Sequence, residues 1–137
     1  MAARNSCDTK YAGKPLLEKL GVKPDWRVSA IGVDDGTFLK DIEGRVALLS
    51  IGRAVKRSDA IFYGVSREAH LPRMEKLKAA LKPNGALWTI RPKGRPEISE
   101  ASVMAAGKAA GLVDVKVVSF SQTHTAEKFV IPVKDRG

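Results

Sequence analysis

Three apolar runs constrain this chain more than anything else in it: RVALLSI (45–51), DAIFYGV (59–65) and ALWTI (86–90). Each lacks the strict apolar–polar alternation of a half-solvated strand and reads as a strand covered on both faces. Covering both faces requires helices above and below a largely parallel sheet, and the intervening segments supply them. Phe38, Leu39 and Ile42 recur at helical spacing before a stop at Gly44. Leu71, Met74, Leu77 and Leu81 form a longer stripe, and Ser99 caps an alanine-rich helix over 100–110 that Gly111 ends. A short helix over Lys14–Leu20, with Pro15 at its first turn and Gly21 as its stop, precedes a first strand over Arg27–Val33.

Asn84-Gly85 reads as the turn into the ALWTI strand. The chain closes with VDVKVVSF (113–120) and EKFVIPV (127–133), joined by the polar loop SQTHTA. A loop that short permits only a hairpin, so the last two strands are antiparallel. The expected fold is therefore single-domain α/β: a mostly parallel sheet, an antiparallel C-terminal hairpin and helices on both faces. One joint is tight. A parallel crossover from Leu49 to Ala60 leaves about ten residues, below the usual dozen, so the 50–59 link must be compact and irregular if the third strand lies beyond the first.

With 137 residues the chain suits one domain, over 11–137, after a polar leader, 1–10. The first ten residues lack the apolar centre of a secretory signal, and no apolar run reaches the ~20 residues of a membrane span. The lone Cys7 excludes an internal disulfide. A cytoplasmic protein without membrane contact is expected. The net charge of +9 favours anionic partners, although no run of five basic residues concentrates it.

From the helix and turn of LKPNGALW (81–88) through AGLVDVKV (110–117) to the final hairpin, the chain resembles the C-terminal half of class I S-adenosylmethionine-dependent methyltransferases. In that Rossmann-like fold an LKPGG-L turn precedes the fifth strand, and the last strands pair antiparallel. YAGKPLLEKLGVKPDWRV (11–28) is similar to the start of a small bacterial family of unknown function with a shortened version of the same fold; the likeness spans Tyr11 to Arg136. The resemblance implies a glycine-rich turn after the first strand, of the form D-x-G-x-G, where backbone approaches the methionine part of the cofactor. It implies an acid ending the second strand, for the ribose hydroxyls. It implies, at the family's fourth-strand position, an Asp or Asn followed by a proline–aromatic run that orients the acceptor. This chain offers AIGVDDG (30–36), LSIGR (49–53) and YGVSR (63–67) instead. All three signatures are altered, so the expected cofactor site is degenerate.

Ligands of open α/β sheets sit outside the carboxyl ends of the strands, near the switch in strand order. That edge is expected to gather Gly32, Asp34, Asp35 and Gly36, then Ser50 and Arg53, as what is left of a cofactor site. Arg53, Arg67, Arg91 and Lys93, with Arg95 close behind, are the expected anion-binding cations. The competing reading makes them a solvated rim, with Arg53 and Arg67 paired to Asp34, Asp35 and Glu68. Asp34 and Asp35 are also suited to cap the next helix, and Ser66 to cap the one after it. His70 and His124 have no partner at metal-ligand spacing, so no metal and no catalytic residue is assigned; His70 reads first as a plain polar residue near a helix start, with general base service as its alternative. The leading functional expectation is a non-catalytic protein that binds an anionic small molecule or a protein partner, with no cofactor. Its alternatives are a methyltransferase with an atypical S-adenosylmethionine site and a nucleic-acid-binding module. The apolar C-terminal strands also suit a homodimer.

Overall fold

The structure is a computed structural model that describes residues 14–136; the leader, Cys7 and the opening Tyr11 of the resemblance lie outside them. Six strands form one sheet in the order β2-β1-β3-β4-β6-β5. They are β1 (Arg27–Ile31), β2 (Leu48–Ile51), β3 (Ser58–Gly64), β4 (Leu81–Pro92), β5 (Val113–Ser119) and β6 (His124–Val130). Neighbours from β2 through β4 are parallel; β4–β6 and β6–β5 are antiparallel. The helices are α1 (Lys14–Lys19), α2 (Gly36–Glu43), α3 (Met74–Lys78) and α4 (Glu100–Ala109), with a 3₁₀ helix over Glu68–Arg73 leading into α3 and a short one over Val133–Asp135. No helix among the described residues is long and apolar enough to cross a membrane.

Side-chain alternation along the central strands divides the core in two. Leu17, Leu20, Phe38 and Ile42 of the α1–α2 face pack on Ala60, Phe62, Trp88 and Ile90. Leu71, Met74, Leu77 and Val103 pack on Ile61, Tyr63, Leu87 and Phe129 on the other face. The alternation works because β3 and β4 sit in the middle of the sheet, covered on both sides. Phe38 meets Phe62 and Phe120 edge-on, with ring centres 5.1 and 4.8 Å apart. In α4, Gly107 lies so close to Phe129 that a Cβ would fall 2.3 Å from the ring.

β2 departs from the expectation of full burial. It is an edge strand of four residues, with Leu48 45% and Ile51 63% exposed. Its apolar run resembled a central strand because Leu49 and Val46 do face the core. The LKPNGALW passage also differs: α3 ends at Lys78, strand pairing resumes at Leu81, and residues 82–85 bulge out of the ladder between Ser58↔Leu81 and Ala60↔Ala86. Gly85 is required there, since a Cβ would lie 2.8 Å from the Ser58 carbonyl oxygen.

The short crossover is real, and β3 does lie on the far side of β1. Residues 52–57 make it without a helix by using two left-handed positions, Gly52 (φ 86°) and Arg57 (φ 63°). Two buried serines tie it down. The Val55 amide donates to Ser29 Oγ (2.9 Å), Ser58 Oγ donates to the Val55 carbonyl (2.5 Å), and the hydroxyls lie 2.9 Å apart.

Candidate functional site

A cavity of about 630 Å³ opens at the carboxyl edge of the sheet. Its floor comes from the ends of β1, β3 and β4: Ile31, Gly32, Tyr63, Gly64 and Ile90. β1 leads by helical connection to β2 on one side and, after the crossover, to β3 on the other, so the cavity sits at the switch in strand order. The floor exists because two glycines touch. A Cβ on Gly64 would lie 2.1 Å from the Gly32 carbonyl oxygen, and one on Gly32 would lie 3.2 Å from the Gly64 oxygen. Gly32 has φ 71°, which turns the chain out of β1.

Asp34 and Asp35 line one side, where the chain enters α2. Asp35 is the helix cap: its Oδ1 accepts the Phe38 amide at 3.0 Å. That cap was legible in the sequence. The β5–β6 turn adds Phe120, Ser121, Thr123 and His124. It is tighter than the sequence suggested, because pairing begins at His124 rather than Glu127. His124 Nδ1 lies 2.8 Å from Thr123 Oγ1, and Ser121 Oγ accepts the Thr123 and His124 amides.

The opposite wall is the 3₁₀ helix after β3, which brings His70 and Arg73 to the cavity. Ser66 does not cap it; Arg67 holds the cap position without a side-chain bond. The Ser66 amide instead donates to His70 Nδ1 at 3.2 Å, and Tyr63 Oη donates to the His70 carbonyl at 2.7 Å. Burial pushes the Tyr63 phenol above its ordinary value, partly offset by the nearby Arg73 guanidinium. An Nδ1 that accepts a backbone N–H leaves the ring proton of neutral His70 on Nε2. The ring thus presents a donor, which argues against the general base role.

The expected site residues divide sharply. Gly32, Asp34 and Asp35 line the cavity, whereas Gly36, Ser50, Arg53 and Arg67 do not. Ser50 Oγ donates to the Arg53 carbonyl (2.9 Å), closing the end of β2 on itself. Lys93 reaches Ser119 Oγ at 3.1 Å and braces the hairpin. Arg91, expected among the free cations of the crevice, is engaged elsewhere. Its Nε donates to Glu127 Oε2 at 2.5 Å, and an Nη lies 3.8 Å from Glu100. Thr89 Oγ1 donates to the other Glu127 oxygen at 2.9 Å. Burial raises the Glu127 carboxyl above the ordinary range, against the bonds from Arg91 and Thr89. Among the described residues neither Arg53 nor Arg67 makes an ion pair, so the expected pairing with Asp34, Asp35 and Glu68 does not form. Glu68 accepts instead from Ser102 Oγ at 2.7 Å. No cluster of three metal-ligating side chains occurs among the described residues.

Arg73 escaped the sequence reading, which ran one continuous helix through the region. Its signal was present in HLPR: Pro72 breaks α-helical bonding, and in a 3₁₀ helix residues three apart eclipse.

Solved structures place this architecture among known proteins. A SAM-dependent methyltransferase from Aquifex aeolicus superposes with a TM-score of 0.59 at 18% identity, over 88% of this chain and 90% of that one. The fold is that of the class I methyltransferases. A putative type 11 methyltransferase from Sulfolobus solfataricus gives 0.62 at 15% identity, over 89% and 90% of the two chains. The Methanococcus jannaschii fibrillarin pre-rRNA processing protein gives 0.53 at 14%, over 80% and 67%. No protein-family model matches the chain, and no curated protein does.

The name of the Aquifex protein carries S-adenosylmethionine, and the residues of this cavity suit that cofactor only in part. The Gly32 turn suits close approach of a ligand, as the resemblance implies for the methionine part. The end of β2 does not suit the ribose: it carries no acid, Ser50 is turned onto its own loop, and no β2 residue lines the cavity. The adenosyl half therefore lacks the partner that the resemblance calls for.

Proposed function

We propose that the chain binds a small anionic metabolite in the cavity over β1, β3 and β4, on a methyltransferase-type scaffold that does not use a nucleoside cofactor. The carrying observation is the position of the cavity. Its volume of about 630 Å³ falls in the range of metabolite sites, roughly 300–1,000 Å³. It occupies the switch point, yet it leans toward β3, β4 and the hairpin and leaves β2 bare. A ligand there meets donors from the 3₁₀ helix and the hairpin, with an apolar floor of Ile31, Ile90 and Phe120.

S-adenosylmethionine-dependent methyl transfer is the second reading, favoured by the fold shared with the Aquifex and Sulfolobus proteins. Titration calorimetry of the full chain with S-adenosylmethionine and its demethylated product separates the two. Binding of either product or cofactor at micromolar strength would replace the first reading with the second. For the first, Val33→Trp, which adds bulk at a residue lining the cavity, is expected to abolish binding of any metabolite that raises the melting temperature of the parent. Equal binding by parent and variant sinks the cavity as the site. The nucleic-acid alternative requires affinity that falls steeply with salt.

A further inference from the structure

We infer that His70 and Arg73 form the oxyanion subsite of this cavity and take the carboxylate or phosphate end of its ligand. The inference rests on the metabolite-binding reading above and names the contact it leaves open. The 3₁₀ helix Glu68–Arg73 sets the geometry, since its side chains three apart eclipse and both residues line the cavity. Arg73 brings a planar fork of donors suited to bidentate pairing with an oxyanion, and no ion pair among the described residues uses it.

His70 adds a donor of fixed direction. Its Nδ1 accepts the Ser66 amide, so the neutral ring carries hydrogen on Nε2, which no described residue engages. Its backbone is held as well, because the His70 carbonyl accepts the phenol hydroxyl of Tyr63, a β3 residue packed in the core. Both ends of the residue are thus positioned by the scaffold, and little order is lost when a ligand arrives. The acids of the cavity stand on the opposite side: Asp34, and Asp35 with its carboxylate committed to the N-terminus of α2. His124 lies at the hairpin side. A ligand with a cationic far end gains Asp34 in addition.

The test is a nuclear magnetic resonance titration of the ¹⁵N-labelled full chain, at constant ionic strength, with inorganic phosphate in one series and acetate in the other. Saturable shifts are expected at the Ser66 amide and the His70 ring nitrogens. Arg73→Ala should weaken the effect by roughly tenfold or more, the size expected for loss of a charge-assisted pair. Arg53→Ala and Arg67→Ala should leave it unchanged. His70→Gln, which keeps a donor near the Nε2 position, should retain more binding than His70→Ala. Long-range ¹H–¹⁵N spectra of the free protein should show the Nε2–H tautomer.

A response to phosphate alone assigns a phosphorylated ligand, and a response to both assigns either class; each supports the subsite. An Nδ1–H tautomer, no response to either anion, or equal losses from Arg53→Ala and Arg73→Ala overturns it. If Val33→Trp abolishes metabolite binding while Arg73→Ala does not, the cavity stands and this subsite falls. If Val33→Trp changes nothing, the metabolite reading itself falls.

Discussion

The carboxyl edge of the sheet has two halves that the sequence presents as one crevice. Over β1 and β3 the strand ends press together through Gly32 and Gly64, and a cavity forms above them. Over β2 the edge is open: a Cβ on Gly52 would meet nothing within 4 Å, and Ser50 folds back on the Arg53 carbonyl. One half has been built around a space. The other is a strand end satisfied by its own loop. The proposed binding follows packing rather than charge, because Arg53 of the open half is not among the residues that line the cavity.

Gly64→Ala carries the largest expected effect. Its Cβ must displace backbone across the β1–β3 contact, and about 3 kcal/mol or more of stability should be lost in urea unfolding. Gly52→Ala should cost only about 1 kcal/mol, for the left-handed φ of 86° in open space. Equal losses would erase the distinction between the halves. The serines sharpen it next. Ser29→Ala strands the part-buried Val55 amide and empties the buried hydroxyl pair with Ser58, and should cost about 1–3 kcal/mol, whereas Ser50→Ala breaks an exposed bond and should stay within about 0.5 kcal/mol.

Asp35→Ala removes the α2 cap at the cavity wall, with an expected loss of about 1 kcal/mol; Asp35→Asn should retain most of it. The smallest effect is a slope with pH. The Glu127 carboxyl is raised in the folded state, chiefly by burial, so the folded chain holds that proton more tightly than the unfolded one. Its contribution is fully present below the unfolded carboxyl value, near pH 4.5, and declines as pH rises toward the folded one. Comparing unfolding free energies of the parent and Glu127→Gln from pH 4 upward should isolate that decline, which the variant lacks. A parent-minus-variant difference that rises with pH instead would show that the bonds from Arg91 and Thr89 outweigh burial.

Much of the fold was legible because it rests on local or periodic signals. The unbroken run around Ile61–Tyr63 reports a strand covered on two faces, Asp35 and Ser99 report caps, and the short loop after Phe120 reports a hairpin. The apolar run at 45–51 misled because an edge strand with one packed face reads much like a central one. The site was less legible. Arg91 looked like a free cation until β6 placed Glu127 beside it, thirty-six residues away in sequence. Arg73 looked like one more charge on a helix until Pro72 shifted that turn to 3₁₀ spacing and aimed it with His70 at the cavity.

The sequence by itself determined the order of strands and helices, the covered character of β3 and β4, and the absence of an acid at the end of β2. These follow from residue type and from spacing along a few turns of chain. Only the tertiary structure decided which cations are spent in ion pairs, which glycines touch, and where the sheet edge leaves a space. Such outcomes depend on groups far apart in the chain meeting within a few ångströms, and no local pattern records which partner arrives.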